Sequence, residues 1–312
     1  MTQYNDQEKI LEIIGFINKS IYPQSFIFGG TKGIGKATAA KDLVKRLLPG
    51  HNDILHHSLW LASDGIVVTI DQVRQIRDFF SHTLNNHFPR IVVIDSADEL
   101  NINSSNALLK ILEEPPKQSL LILISHQPHN LIDTIKSRCA FIKFKVPSNT
   151  LQIVQKDHNF DTKNIDTLLK LSHNVPGVAI LLGKNQGLEL YNSIISALSN
   201  YETSYTKTYS WIESTFPDNN PEKWWLFGYL IKYLLEKIIK ISHIEHQDNN
   251  LFEQEALLIK KLSNLKSTEA WLLTYDESCQ LLESAKKLYL DYKNIVVVIM
   301  MLISEGRKGR MK

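Results

Sequence analysis

Only two cysteines, Cys139 and Cys279, occur in 312 residues, too few for a disulfide framework and in keeping with a reducing compartment, so a cytoplasmic location is expected. Long apolar runs are also scarce. The closest, Ile295 to Ile303, is about half of the roughly 20 residues a membrane helix needs, and the N-terminus carries no basic-plus-apolar targeting pattern. Charge of one sign is lacking: 35 Lys and Arg against 33 Asp and Glu leave +2, which gives no general attraction for nucleic acid and leaves any DNA contact to a local patch within an assembly. No internal repeat or low-complexity tract occurs. No thiolate set accompanies His51, His56 and His57, so structural-zinc spacing is missing, a solvated loop is expected there, and no metal is expected.

What is there begins with Gly30-Thr31-Lys32-Gly33-Ile34-Gly35-Lys36-Ala37-Thr38. Glycines let backbone N–H groups curl round a phosphate, and Lys36 supplies positive charge where a helix begins. The flanks fit: residues 24–28 read as a short apolar strand and Lys36 to Leu47 as a helix stopped by Pro49-Gly50. A ligand-free glycine turn explains three glycines and a lysine between strand and helix less well. One part is absent. Ala37 stands where a Ser or Thr oxygen would bind magnesium, and Thr38 comes one position, about 100°, too late round the helix.

A second apolar run, Arg90-Ile91-Val92-Val93-Ile94-Asp95, ends in a carboxylate placed like a Walker B aspartate, which could hold magnesium through water. The next residue is Ser96, where a water-activating glutamate is wanted, and a neutral hydroxyl cannot act as that base. Asp98 and Glu99 lie too far along the chain to be good substitutes.

The stretch from Val93 to Asn101, followed by Ser105-Asn106-Ala107-Leu108-Leu109-Lys110-Ile111-Leu112-Glu113-Glu114-Pro115-Pro116 and by Ser137-Arg138-Cys139 beyond a strand at residues 119–125, resembles bacterial clamp-loader subunits of the AAA+ superfamily. The resemblance implies an α/β P-loop module with a parallel sheet, then a small helical lid domain and a helical C-terminal collar domain. It also implies that Arg138 acts as an arginine finger in a neighbouring subunit's ATP site. Ala37, Ser96 and Val178, the last where active members carry a sensor arginine, all depart in the direction of lost catalysis. The pattern is similar to the delta-prime branch of DNA polymerase III clamp loaders, which keeps the fold and the finger with little or no ATPase activity of its own.

On that resemblance the expected partners are the gamma/tau and delta subunits, the sliding clamp, and primed DNA through the assembly, with no membrane. The expected site comprises Arg138 acting in trans and a degenerate nucleotide site of Gly30, Gly33, Gly35, Lys36, Thr38 and Asp95. No cofactor is required; ATP or ADP could still be held weakly. The rivals are an active gamma/tau-type ATPase, against which Ser96 and Val178 speak, and a stand-alone P-loop NTPase or kinase, against which the Glu113 to Pro116 run and the Ser-Arg-Cys triplet speak.

Length and a 43% hydrophobic content allow two or three domains. The expected division is residues 1–147, 148–190 and 191–312, the first break marked by Pro147-Ser148-Asn149 after an alternating strand at 141–146, with further polar breaks at 216–221 and 246–250. Within residues 66–80, Thr69 or Asp71 can cap a helix with Val73, Ile76 and Phe80 on one face and Arg74 and Arg77 on another as phosphate-contact candidates. Trp224, Phe227, Leu230, Leu234 and their neighbours read as helix core.

Overall fold

The structure is a computed structural model describing residues 7–18, 23–48, 50–62, 68–81, 88–157, 160, 162–199, 205–217, 220–243, 252–288 and 290–304. Compactness divides the chain in two: Met1–Asp157 with Asn174–Val178 form one unit, and His158–His173 with Ala179–Lys312 form the other.

The first unit is α/β. Helix α1 (Gln7–Asn18) precedes β1 (Ser25–Gly29), α2 (Lys36–Leu47), α3 (His51–His57), β2 (Ser58–Ala62), α4 (Ile70–Ser81), β3 (Arg90–Asp95), α5 (Ile102–Glu113), β4 (Ser119–Ser125), α6 (Asp133–Lys136), β5 (Ala140–Lys143) and α7 (Thr150–Asp157). The five strands form one parallel sheet in the order β2-β3-β4-β1-β5. Every residue of β1 and β4 is buried, as expected for the near-continuous apolar strands of a sheet covered on both faces. One face carries a core of Val73, Ile76, Val92, Ile94, Leu108, Leu121, Leu123 and Ile135, which joins α4, α5 and α6 to the sheet.

The chain leaves β1 towards one edge of the sheet and leaves its neighbour β4 towards the other. Such a reversal opens a crevice at the carboxyl ends of the two strands, which is where ligands meet open α/β sheets. The loop 30–35 and residues 126–127 lie at those ends.

Two local expectations need correction. The histidine stretch is not a solvated loop: it forms α3 and the edge strand β2, and His57 is buried. The alternating strand expected over 141–146 ends at Lys143, because its partner β1 ends at Gly29; one further bond, Phe144 N–H to the Gly29 carbonyl at 2.8 Å, closes the ladder. The cap of α4 is Thr69, not Asp71. Gln72 N–H donates to Thr69 Oγ1 at 3.3 Å and Thr69 N–H to Gln72 Oε1 at 2.8 Å, a reciprocal capping box. Residues 66–67 lie outside the described residues.

The second unit is helical: α8 (Thr162–Leu171), α9 (Pro176–Lys184, whose first turn belongs to the α/β unit), α10 (Gly187–Ser199), α11 (Tyr205–Thr215), α12 (Pro221–His243), α13 (Glu253–Ser263), α14 (Thr268–Leu288) and α15 (Tyr292–Ser304). Trp224, Phe227, Leu230, Leu234 and Ile238 are buried as expected, and Phe216 stacks on Trp224 with ring centroids 4.2 Å apart. Inside this core Glu255, fully buried, accepts from Lys237 Nζ at 3.0 Å and Tyr191 OH at 2.6 Å, tying α13 to α12 and α10. The break expected at 216–221 falls between α11 and α12, with 218–219 outside the described residues, and the one expected at 246–250 lies wholly outside them. Among those described, no helix is long and apolar enough to cross a membrane.

Candidate functional site

The glycine loop takes the shape its composition demands. Gly30, Gly33 and Gly35 have φ of 147°, 88° and 100°, a region side chains rarely enter. Gly35 caps α2 with its backbone, and Lys36 opens the helix. Lys36 then turns back: its Nζ donates to the carbonyls of Gly30 at 2.5 Å and Thr31 at 2.7 Å. Burial lowers its pKa to about 8, with the carboxylates of Asp98 and Asp95 opposing that and Lys32 adding to it. Ala37 and Thr38 are half-buried on α2.

Beside the loop, β3 delivers Asp95, whose Oδ1 is buried with no hydrogen-bond partner. Ser96 follows in a left-handed conformation, φ 61°, and this turn brings the next residues back across the end of β4. Asp98 Oδ1 accepts the backbone N–H of His126 at 2.7 Å, and Ser96 Oγ lies 3.3 Å from His126 Nε2. Burial first, then the Lys36 charge, depresses the His126 pKa to about 4, so the imidazole is neutral at pH 7.

Sequence reasoning missed this role of Asp98 and missed His126 altogether. The available signal was a titratable residue immediately after a strand with a five-residue apolar centre, Leu120 to Ile124, the place where a parallel sheet meets its crevice.

The loop is also covered. Gly177 N–H donates to the Gly33 carbonyl at 2.8 Å, and a Cβ built on Gly33 would lie 3.1 Å from Val175 Cγ1 and 3.2 Å from Val178 Cγ2. Val178, in place of the expected sensor arginine, is a buried apolar contact on the glycine loop.

Arg138 sits elsewhere, with no bond to this cluster. It is exposed just beyond α6, where Nη1 donates to the Thr134 carbonyl at 3.1 Å and to Ser137 Oγ at 3.4 Å, and Nη2 donates to Glu113 Oε1 at 2.8 Å. Its neighbour Cys139 packs against the core, and burial pushes that thiol up to about 12, which favours the protonated form. Both cysteines are free. Arg74 and Arg77 are exposed on α4, with Arg74 paired to Asp71 at 2.9 Å.

Residues 6–148 match the family model described as DNA polymerase III, delta subunit. The DNA polymerase III subunit delta' of Bacillus subtilis is 30% identical over 159 residues, 45% of this chain and 47% of that protein. Over this part the chain is similar to DNA polymerase III delta and delta' subunits. The delta' subunit of Pseudomonas aeruginosa is 46% identical over 72 residues, 23% of this chain and 22% of its own length. The chain thus matches about half or less of the length of these relatives. The solved structure of a DNA polymerase III gamma subunit-related protein from Thermotoga maritima aligns over 96% of this chain and 99% of its own, with 19% identity and a TM-score of 0.48.

Proposed function

We propose that the chain is a delta-prime-like subunit of the DNA polymerase III clamp loader, a stator without ATPase activity of its own that lends Arg138 to the ATP site of a neighbouring ATPase subunit. The observation that carries this reading is the opposite state of its two cations. Lys36 is buried and spent on its own loop carbonyls, whereas Arg138 is exposed, outside the cluster, and held in place.

The residues of the glycine loop do not fit magnesium-assisted hydrolysis. Ala37 offers no oxygen, Ser96 no base, Asp98 is committed to a backbone N–H, and Val178 lies on Gly33 where a phosphate-sensing cation would be needed. No step is assigned to nucleotide here, and none is required for the stator role. The orphaned Asp95 Oδ1 is the feature that favours the rival reading, an active gamma/tau-type ATPase, since a carboxylate oxygen without a partner suits a cation bound through water.

On this reading the α/β module, a helical lid over 148–190 and a helical collar over 191–312 divide the labour in the cytoplasm. The partners are the gamma/tau and delta subunits, the sliding clamp, and primed DNA reached through the assembly. Arg138→Ala, mixed with those partners, is expected to lose stimulated ATPase and clamp loading; unimpaired rates would remove the finger assignment.

A further inference from the structure

We propose that Glu113 is a positioning residue for Arg138, holding the guanidinium in the orientation in which it meets the neighbour's nucleotide; this rests on the trans-acting finger reading above. The backbone under Arg138 is already fixed. Leu131 and Ile135 are buried in the core shared with Leu108, Ile111 and Leu112 of α5, and Arg138 N–H donates to the Ile135 carbonyl at 3.1 Å. The side chain is another matter, because arginine has several freely turning torsions and α6 is only four residues long.

Of its three side-chain bonds, those to Thr134 and Ser137 come from its own turn. Glu113 alone comes from a different element, 25 residues earlier, and it makes the shortest bond, 2.8 Å, and the one to an ionised acceptor. The end of α5 places it there. Glu113 is the last residue of the helix, Glu114 caps it, and Pro115 cannot continue it, so the carboxylate cannot drift along a longer helix.

Donor arithmetic separates holding from blocking. A guanidinium has five N–H donors. Three are used here, and Nε–H and the second Nη2 hydrogen remain for phosphate oxygens. Glu113 therefore need not let go for the finger to work. The pair is half-exposed, at 36% and 50% for the two side chains, so it contributes little to folding and its removal should leave assembly intact.

The test uses the assembled loader with ATP and magnesium, comparing Glu113→Ala, Glu113→Gln, Arg138→Ala and the double variant. Glu113→Ala is expected to lower kcat about threefold to fivefold, the coupling of one exposed pair, with KM for ATP unchanged. Glu113→Gln, which keeps an acceptor oxygen, should recover part of the loss. The double variant should be no slower than Arg138→Ala. Full activity in Glu113→Ala while Arg138→Ala is impaired would overturn the positioning role and leave the finger standing, as would a faster Glu113→Ala, which would make Glu113 a competitor. A further loss in the double variant would mean that Glu113 acts through something other than Arg138. Full activity in Arg138→Ala would remove the finger and this proposal with it.

Discussion

Gly177 donates its backbone N–H to the carbonyl of Gly33 across 2.8 Å, so that the start of α9 rests on the tip of the glycine loop. There is no room between them for a side chain: a Cβ on Gly177 would fall 2.7 Å from the Gly33 oxygen and 2.8 Å from its Cα. The tip of the glycine loop is thus part of a packed backbone contact.

Gly177→Ala should accordingly destabilise the protein by about 1–3 kcal/mol, the usual cost of overpacking where backbone has to move. Urea unfolding followed by circular dichroism measures it. A change within error would mean that this contact yields easily.

The buried titratable groups predict how stability follows pH. His126 is depressed to about 4 from 6.5, so between those values the unfolded chain binds a proton that the folded chain refuses, and stability falls as pH drops through that window. Lys36 is lowered to about 8 from 10.5. Below pH 8 it is charged in both states and its burial cost is fully present; from about 8 to 10.5 the unfolded chain holds more protons, and stability rises with pH. His126→Asn should flatten the acid slope and Lys36→Met the alkaline one, in denaturant midpoints taken from pH 4 to 10.

In the helical unit, Lys237→Met would remove the buried ammonium that faces the fully buried Glu255 carboxylate at 3.0 Å. Removing one member of such a pair costs about 3–5 kcal/mol, whereas replacing both charges costs less. Lys237→Met/Glu255→Leu should therefore be more stable than Lys237→Met alone, as thermal unfolding of the two variants would reveal.

The sheet and the glycine loop were legible in the sequence for physical reasons. Wholly apolar runs such as Ile91–Ile94 and Leu120–Ile124 suit strands buried on both faces, and Gly33 and Gly35 stand where φ is positive. Edge strand β2 was not legible, because Ser58-Leu-Trp-Leu-Ala is short and follows three histidines that suggested a loop. The losses at Ala37, Ser96 and Val178 could be read as missing chemistry. What surrounds them could not: Asp98 holding His126 and Val178 lying on Gly33 are contacts between segments remote in sequence, and no local pattern encodes them.

The two cations can be separated in the assembled loader. Lys36→Met should leave stimulated ATPase within about twofold of the parent, since uncoupled substitutions change barriers by only a few tenths of a kcal/mol. Arg138→Ala, by contrast, should reduce turnover at the site it serves by about 10³-fold or more, as expected for a lost finger. A large loss in Lys36→Met would return the glycine loop to the catalytic machinery.

The most direct test of the account is ATP turnover by the purified chain, first alone and then with the candidate ATPase subunits, sliding clamp and primed DNA. Negligible turnover alone together with stimulation of the assembled complex is the predicted result. Robust turnover by the chain alone would contradict it, and Ala37, Ser96 and Val178 would then be tolerated changes in a working motor.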